Sequence, residues 1–315
     1  MKFSMKAVLL EEKLQFTTDR SAPTPLAQEA VIRPTMVGIC KTDLELVKGY
    51  MGFQGVLGHE FVGIVEECSD PSWVGKRVVG EINCSPRDNI LEDPRHQDGR
   101  TVLGILNRDG VMAERFTLPI ENLLEVPDDV PDEVAVFVEP LAAAYQIQEQ
   151  MGELPTEALV LGDGKLGALC ALALKDLGCE VTWLGKHASK LDQLAHKVKT
   201  LTVEQDSPHP FPLVIEATGS VSGLERALTD VKPQGTVILK TTVAEPHQLN
   251  LSLIVINEIQ VLGSRCGRFA PALEALAQKR VDPRFLIEKI YPIEESMTAF
   301  EHAAKRGAAK VLLKL

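Results

Sequence analysis

Three side chains in this sequence have the chemistry to hold a metal ion with one coordination position left open. They are the thiol of Cys40, the imidazole of His59 and the carboxylate of Glu139. A thiolate, an imidazole and a carboxylate make a competent catalytic zinc site, and a divalent ion held by Cys40 and Glu139 is nearly charge-neutral. Glu60 follows His59 directly in "GVLGHEFVG" and sets a second carboxylate beside the ring. Each residue also has an ordinary reading. A cysteine is most often a small buried hydrophobe. His59 and Glu60 can be a charged pair at a strand end. Glu139 before Pro140 has the form of a helix start, with proline in the first turn and a carboxylate favoured by the dipole. "TDLE", Thr42 to Glu45, matches the S/T-x-x-E capping box. Spacing alone does not choose between ligands and scaffolding.

The elements that must position these groups fall into two halves. Up to about residue 140, short β-branched or alternating runs predict strands split by Gly, Pro and Asp: "EAVIRPTMVGI", "FVGIVEEC", "KRVVGEI" and "MAERFTLP". From Pro155 compact apolar strands ("EALVLG", "CEVTWLG", "PLVIEATG", "GTVILKT") alternate with helical stretches ("LGALCALALKDLG", "SKLDQLAHKV", "SGLERALTDV"). That alternation predicts a doubly wound parallel sheet. After "IQVLGSRCG" come two helical runs and a closing strand, "AKVLLKL". The stretch Ser85 to Arg100 is charged and broken by proline, which predicts an exposed loop.

"VLGDGKLG" carries Gly162, Gly164 and Gly167 in G-x-G-x-x-G order, with Lys165 and Leu166 inside the turn. It follows a predicted strand and opens a predicted helix, the setting in which this pattern binds a dinucleotide pyrophosphate. An NAD site usually ends its second strand with Asp or Glu, for the ribose 2′-hydroxyl. Here that strand ends at Gly185, followed by Lys186, His187 and Lys190. With no carboxylate there and three groups able to carry positive charge, NADP(H) is favoured over NAD(H); a solvated loop with two lysines is the plainer alternative. "EATG", with Ala217 and Thr218, and "LKTT", with Thr241, fall at strand ends where doubly wound sheets bind ligands. Arg265 in "GSRCG" either reaches the cofactor from the following loop or is a surface arginine.

Composition bounds the rest. A chain of 315 residues is longer than one typical core requires, so two domains are expected. The 45% hydrophobic content is that of an ordinary globular protein, and the formal net charge of −11 argues against nucleic acid or an anionic membrane as the main partner. The first residues hold only a four-residue apolar run, Ala7 to Leu10, too short for a signal peptide, and no segment approaches a membrane span. A cytoplasmic location follows as the expectation. There the six scattered cysteines serve as thiols or metal ligands, not disulfides.

"GICKTDLELVKGYMGFQGVLGHEFVGIVEE", "VEPLAAA", "VLGDGKLG" and "IEATG", in this order, resemble the zinc-containing alcohol dehydrogenases of the medium-chain dehydrogenase/reductase superfamily. The resemblance runs from about residue 5 to the C-terminus. It implies a GroES-like β-rich catalytic domain (1–144 and 267–315) and a Rossmann domain (145–266). It makes Cys40 and His59 the first two catalytic zinc ligands. Glu139 becomes the third, as in the polyol and glucose dehydrogenase branch, and Glu60 the neighbour that can enter the zinc shell in place of water. Thr42 becomes the hydroxyl that bonds the substrate oxygen and starts a proton relay, and Lys41 a contact to the pyrophosphate. Glu45 stands where some members have a relay histidine. Members commonly bind a second, structural zinc through four cysteines, whereas Glu81 to Arg100 holds only Cys84. One zinc per chain is therefore expected.

The expected reaction is hydride transfer between an alcohol and the nicotinamide ring, with zinc as Lewis acid. A glutamate ligand leans toward polyol- or sugar-like alcohols. Tyr50, Met51 and Phe53 lean toward a more hydrophobic one if they line the pocket, and they can equally be core. The competing readings are a metal-free reductase of a quinone, enone or pigment-like ring, and a non-catalytic NADPH-binding protein. Association into a homodimer or homotetramer is expected through the sheet edge formed by "VILKTTV" and "NEIQVLGSR".

Overall fold

The computed structural model describes residues 4–86, 93–205, 209–242 and 248–315. Part of the expected loop (87–92) and Val243 of the expected pairing edge lie outside the described residues. The chain divides into two compact units, 1–139 with 272–315, and 140–271.

The first unit is built around the strand Glu29–Ile39. Its Val31, Ile32, Val37 and Ile39 are buried, and β-branched side chains of this kind suit a pleated, packed surface. Three strands pair with it antiparallel: Glu60–Glu67, Phe116–Pro119 and the terminal strand Lys310–Lys314. The terminal strand also pairs parallel with Ile287–Pro292. Gly38 lies opposite Glu60 on one side and opposite Leu312 on the other.

The charged stretch expected as an exposed loop is not wholly exposed. Arg95 and Gln97 are each 4% exposed, and the Arg95 guanidinium donates to Asp93 Oδ1 at 2.9 Å. A paired guanidinium tolerates burial that a lone charge would not.

The second unit is a six-stranded sheet in which every neighbouring pair runs parallel. Glu157–Leu161 is flanked by Glu180–Gly185 and then Lys199–Thr202 on one side. On the other side stand Phe211–Glu216, Val231–Leu239 and Gln260–Gly263. Leu159, Leu161, Val214 and Val237 belong to one buried cluster, which is why these strands read as continuous apolar runs. The order reverses at the first strand, the switch point at which doubly wound sheets bind ligands. "SKLDQLAHKV" departs from the expected helix: it forms a helical turn, Ala188–Leu191, then a 3₁₀ turn, Asp192–Leu194. Its buried residues are Leu191, Leu194 and Val198. Among the described residues no helix is long and apolar enough to cross a membrane.

Candidate active site

Cys40, His59 and Glu60 converge, with one ligand atom of each lying within 4.8 Å of the other two. Cys40 ends the turn after the strand Glu29–Ile39 and caps the helix Lys41–Val47. His59 and Glu60 open the neighbouring strand. The expected capping box is displaced by two residues. The Cys40 backbone N–H donates to Asp43 Oδ2 at 2.8 Å, so the pair Cys40–Asp43 starts this helix and Thr42 lies inside its first turn. The reason is burial. Asp43 is fully enclosed and must be hydrogen-bonded, whereas Glu45 stays partly exposed and pairs with Lys48.

Asp43 also faces His59, with Oδ1 3.3 Å from Nδ1. One carboxylate thus holds the Cys40 backbone and faces the His59 ring, where metal-binding histidines generally have an outer-shell partner. Burial opposes a charge on His59, but Asp43 and then Cys40 outweigh it and hold the ring well above the usual histidine pKa. The Cys40 thiol lies 3.7 Å from Thr42 Oγ1.

Sequence reasoning missed Lys310. Its ammonium is 3% exposed and reaches Glu60 Oε2 at 2.5 Å, with the Phe137 ring centroid 5.7 Å away. Burial works against its charge, yet Glu60, Cys40 and Glu139 more than offset that and raise its pKa. Gly38 leaves the room for this pair, because a Cβ there would overlap Glu60 Oε2. The other oxygen, Glu60 Oε1, is buried with no hydrogen-bond partner. A thiol, an imidazole and an orphaned carboxylate oxygen at one point fit a zinc ion.

Glu139 stands outside the three-residue group. It lies in the first turn of the helix Val138–Met151 and meets the cluster through charge. Burial pushes its carboxyl up to about 7, with His59 and Lys310 pulling down and Glu60 and Asp43 pushing up. Lys41 is exposed on the helix that follows Cys40. Of the expected pocket walls, Tyr50 and Met51 are 44% and 51% exposed, whereas Phe53 is core.

In the second unit the glycine turn has the form its pattern predicts. Gly162 adopts φ +108, and a Cβ there would lie 2.6 Å from the Ala217 carbonyl oxygen. Gly167 lies against the Gly162 carbonyl, too close for any side chain. Gly164 differs, since a Cβ there would meet nothing within 4 Å. It caps the helix Lys165–Asp176 with no side-chain hydrogen bond to the exposed amides. An open approach to a helix N-terminus fits a pyrophosphate. Lys165 and Leu166 form the half-buried first turn of that helix. The strand-end loops are organised by Glu216, whose Oε1 accepts from the Thr218 amide at 2.8 Å and hydroxyl at 2.6 Å. Thr241 Oγ1 accepts from the Gly219 amide at 3.0 Å. Ala217 is half-buried between them, and Arg265 is exposed. Lys186 and His187 are exposed and Lys190 is half-buried.

The premise that no carboxylate stands at the tip of the second strand needs correction. Asp163, the residue after Gly162, accepts from the backbone amides of Lys186 and His187 at 2.6 and 2.7 Å, next to Gly185. The carboxylate comes from the first turn instead of the second strand.

The missing cysteine lobe leaves Cys84 as a buried thiol, pushed up to about 11 by burial. Asn122 Nδ2 donates to the Glu81 and Asn83 carbonyls there at 2.6 and 2.9 Å. Two clefts of about 350 and 370 Å³ open in the first unit, but neither is lined by Cys40, His59 or Glu60.

Residues 26–128 match the family model of the alcohol dehydrogenase GroES-like domain. Glucose 1-dehydrogenase of Methanocella arvoryzae is 30% identical over 78% of this chain and 78% of its own length. Sorbitol dehydrogenase of Halalkalibacterium halodurans is 28% identical over 94% of each. Among solved structures, RspB of Escherichia coli CFT073, complexed with NADH, superposes with a TM-score of 0.89 at 24% identity, covering 99% of both chains. A GroES-like unit, a Rossmann unit and these relatives define an alcohol oxidoreductase. The chain belongs to the zinc-type alcohol dehydrogenase family of the medium-chain dehydrogenase/reductase superfamily.

Proposed function

We propose that this chain catalyses zinc-dependent, reversible oxidation of a polyol- or sugar-like alcohol to its carbonyl compound, with a nicotinamide dinucleotide taking up the hydride. The observation that carries the reading is the convergence of Cys40, His59 and Glu60 within 4.8 Å, with Glu60 Oε1 buried and unpartnered. Cys40 and His59 would hold the metal, with Glu139 as third ligand in the manner of the glutamate-liganded branch and Glu60 able to enter the shell in place of water. Bound there, zinc would supply Lewis-acid polarisation of the substrate oxygen. Thr42 Oγ1 would hydrogen-bond the substrate hydroxyl and, as it takes that proton, pass its own outward toward solvent, while Asp43 keeps His59 oriented. The names of the glucose and sorbitol dehydrogenase relatives support the substrate class.

One zinc per chain is proposed, because Glu81 to Arg100 holds a single cysteine, Cys84, where a closed structural site needs four ligands. Free thiols at all six cysteines suit a cytoplasmic setting. We further propose self-association along Gln260–Gly263, an end strand of its sheet. Nearby in the chain, Val255 and Ile256 are each 75% exposed. The deciding experiment is metal analysis together with an oxidation screen over polyols, sugars and simple alcohols. One zinc per chain and zinc-dependent turnover would support the proposal, and turnover that survives complete chelation would remove it.

A further inference from the structure

The adenosine ribose of a dinucleotide meets a doubly wound sheet at the tip of its second strand. In this chain that tip is Gly185, and the space a side chain would take is already filled. A Cβ at 185 would lie 2.5 Å from Asp163 Cβ and 2.8 Å from its Oδ2. Positions 163 and 185 compete for one volume, and the chain has put its carboxylate on the first turn and a glycine on the second strand.

The Asp163 side chain is 13% exposed. Its Oδ2 gathers the Lys186 amide at 2.6 Å, the His187 amide at 2.7 Å and His187 Nδ1 at 2.9 Å. These are the donors that a 2′-phosphate would need from this loop, and all three are turned toward a carboxylate. Oδ1 has no hydrogen-bond partner among the described residues and remains available to a hydroxyl. Of the groups expected to favour a 2′-phosphate, only the Lys186 and Lys190 ammonium groups are left.

We propose that Asp163 is the specificity-determining residue for the cofactor ribose and makes this chain select NAD(H) over NADP(H). The inference rests on the dinucleotide reading above and deepens it. A 2′-hydroxyl donates to a carboxylate, whereas a 2′-phosphate repels it. Burial disfavours the Asp163 charge, but the His187 and Lys186 hydrogen bonds outweigh it and keep the pKa below the usual aspartate value. The repulsion therefore operates at neutral pH.

The test is titration of the full-length protein and its Asp163→Asn variant with NADH and NADPH, followed by nicotinamide fluorescence, which requires no substrate. Asparagine keeps the shape and an acceptor oxygen but removes the charge. The wild type should bind NADH at least about tenfold more tightly than NADPH, and Asp163→Asn should shift that ratio about tenfold toward NADPH. A residue that only organised the loop would weaken both cofactors alike and leave the ratio unchanged; that result would overturn the inference, as would a wild type that prefers NADPH. A wild type that binds neither dinucleotide would overturn the underlying functional reading as well.

Discussion

The Cys40–His59–Glu60 cluster and the glycine turn are assembled by opposite means. At the cluster, side chains from positions 40, 43, 59, 60 and 310 meet in a buried place, and charge balance decides whether they can stay there. At the turn, one short segment supplies backbone amides and empty space, and conformation decides. A side-chain site depends on long-range strand register and on counter-charges. A backbone site depends on a few glycines. The two should therefore fail separately.

The largest effect should come from the ligands. Cys40→Ser or His59→Asn should lose zinc and reduce turnover by at least about a thousandfold, since Lewis-acid stabilisation is worth several kcal/mol. NADH affinity, read by fluorescence, should stay unchanged in either variant. If it collapses too, the separation of the two sites is wrong. Lys310→Met comes next, because it strands Glu60 in a buried position. Breaking such a pair costs about 3–5 kcal/mol, measurable by urea unfolding of the metal-free protein. Adding Glu60→Gln to that variant should restore most of the loss. A double variant as unstable as the single would show that Lys310 acts by packing instead of charge.

The mirror experiment is Gly162→Ala. With φ at +108 and Ala217 against it, the turn must distort. Dinucleotide binding should weaken by about tenfold while zinc content holds. The smallest effect is expected outside both sites, at Glu29. Burial disfavours its charge, but the Arg108 guanidinium and the Leu26 amide more than compensate, so its folded pKa lies below the ordinary 4.5. A lowered carboxylate pKa contributes stability above pH 4.5 that is lost as pH falls through the folded value. Melting curves of Glu29→Gln should show a shallower acid decline than the wild type. An identical decline would show that the Glu29–Arg108 pair carries no acid sensitivity.

The same contrast explains what could be read from sequence. Gly162, Gly164 and Gly167 were legible because a turn is local and only glycine satisfies it. Cys40, His59 and Glu60 were legible as types that share a chemistry, although Thr42–Glu45 pointed to the wrong helix start, because "CKTDLE" carries two overlapping capping patterns. Burial of Asp43 chose between them, and burial is not written locally. Lys310 in "AKVLLKL" reads as a solvated strand end. Only pairing of Lys310–Lys314 with Glu29–Ile39 carries it to Glu60. Asp163 was hidden differently, occupying a variable position of its motif, so its carboxylate was sought on the second strand.

Gly38 has a consequence for how the chain reaches this state. A one-residue slip of its strand against Glu60–Glu67 would set Val37 or Ile39 where Gly38 now faces Glu60. Neither has room for the carboxylate, and the Glu60–Lys310 pair could not close. The smallest residue in the strand therefore acts as a proofreader of folding, admitting the buried ion pair only when the two strands have found their register.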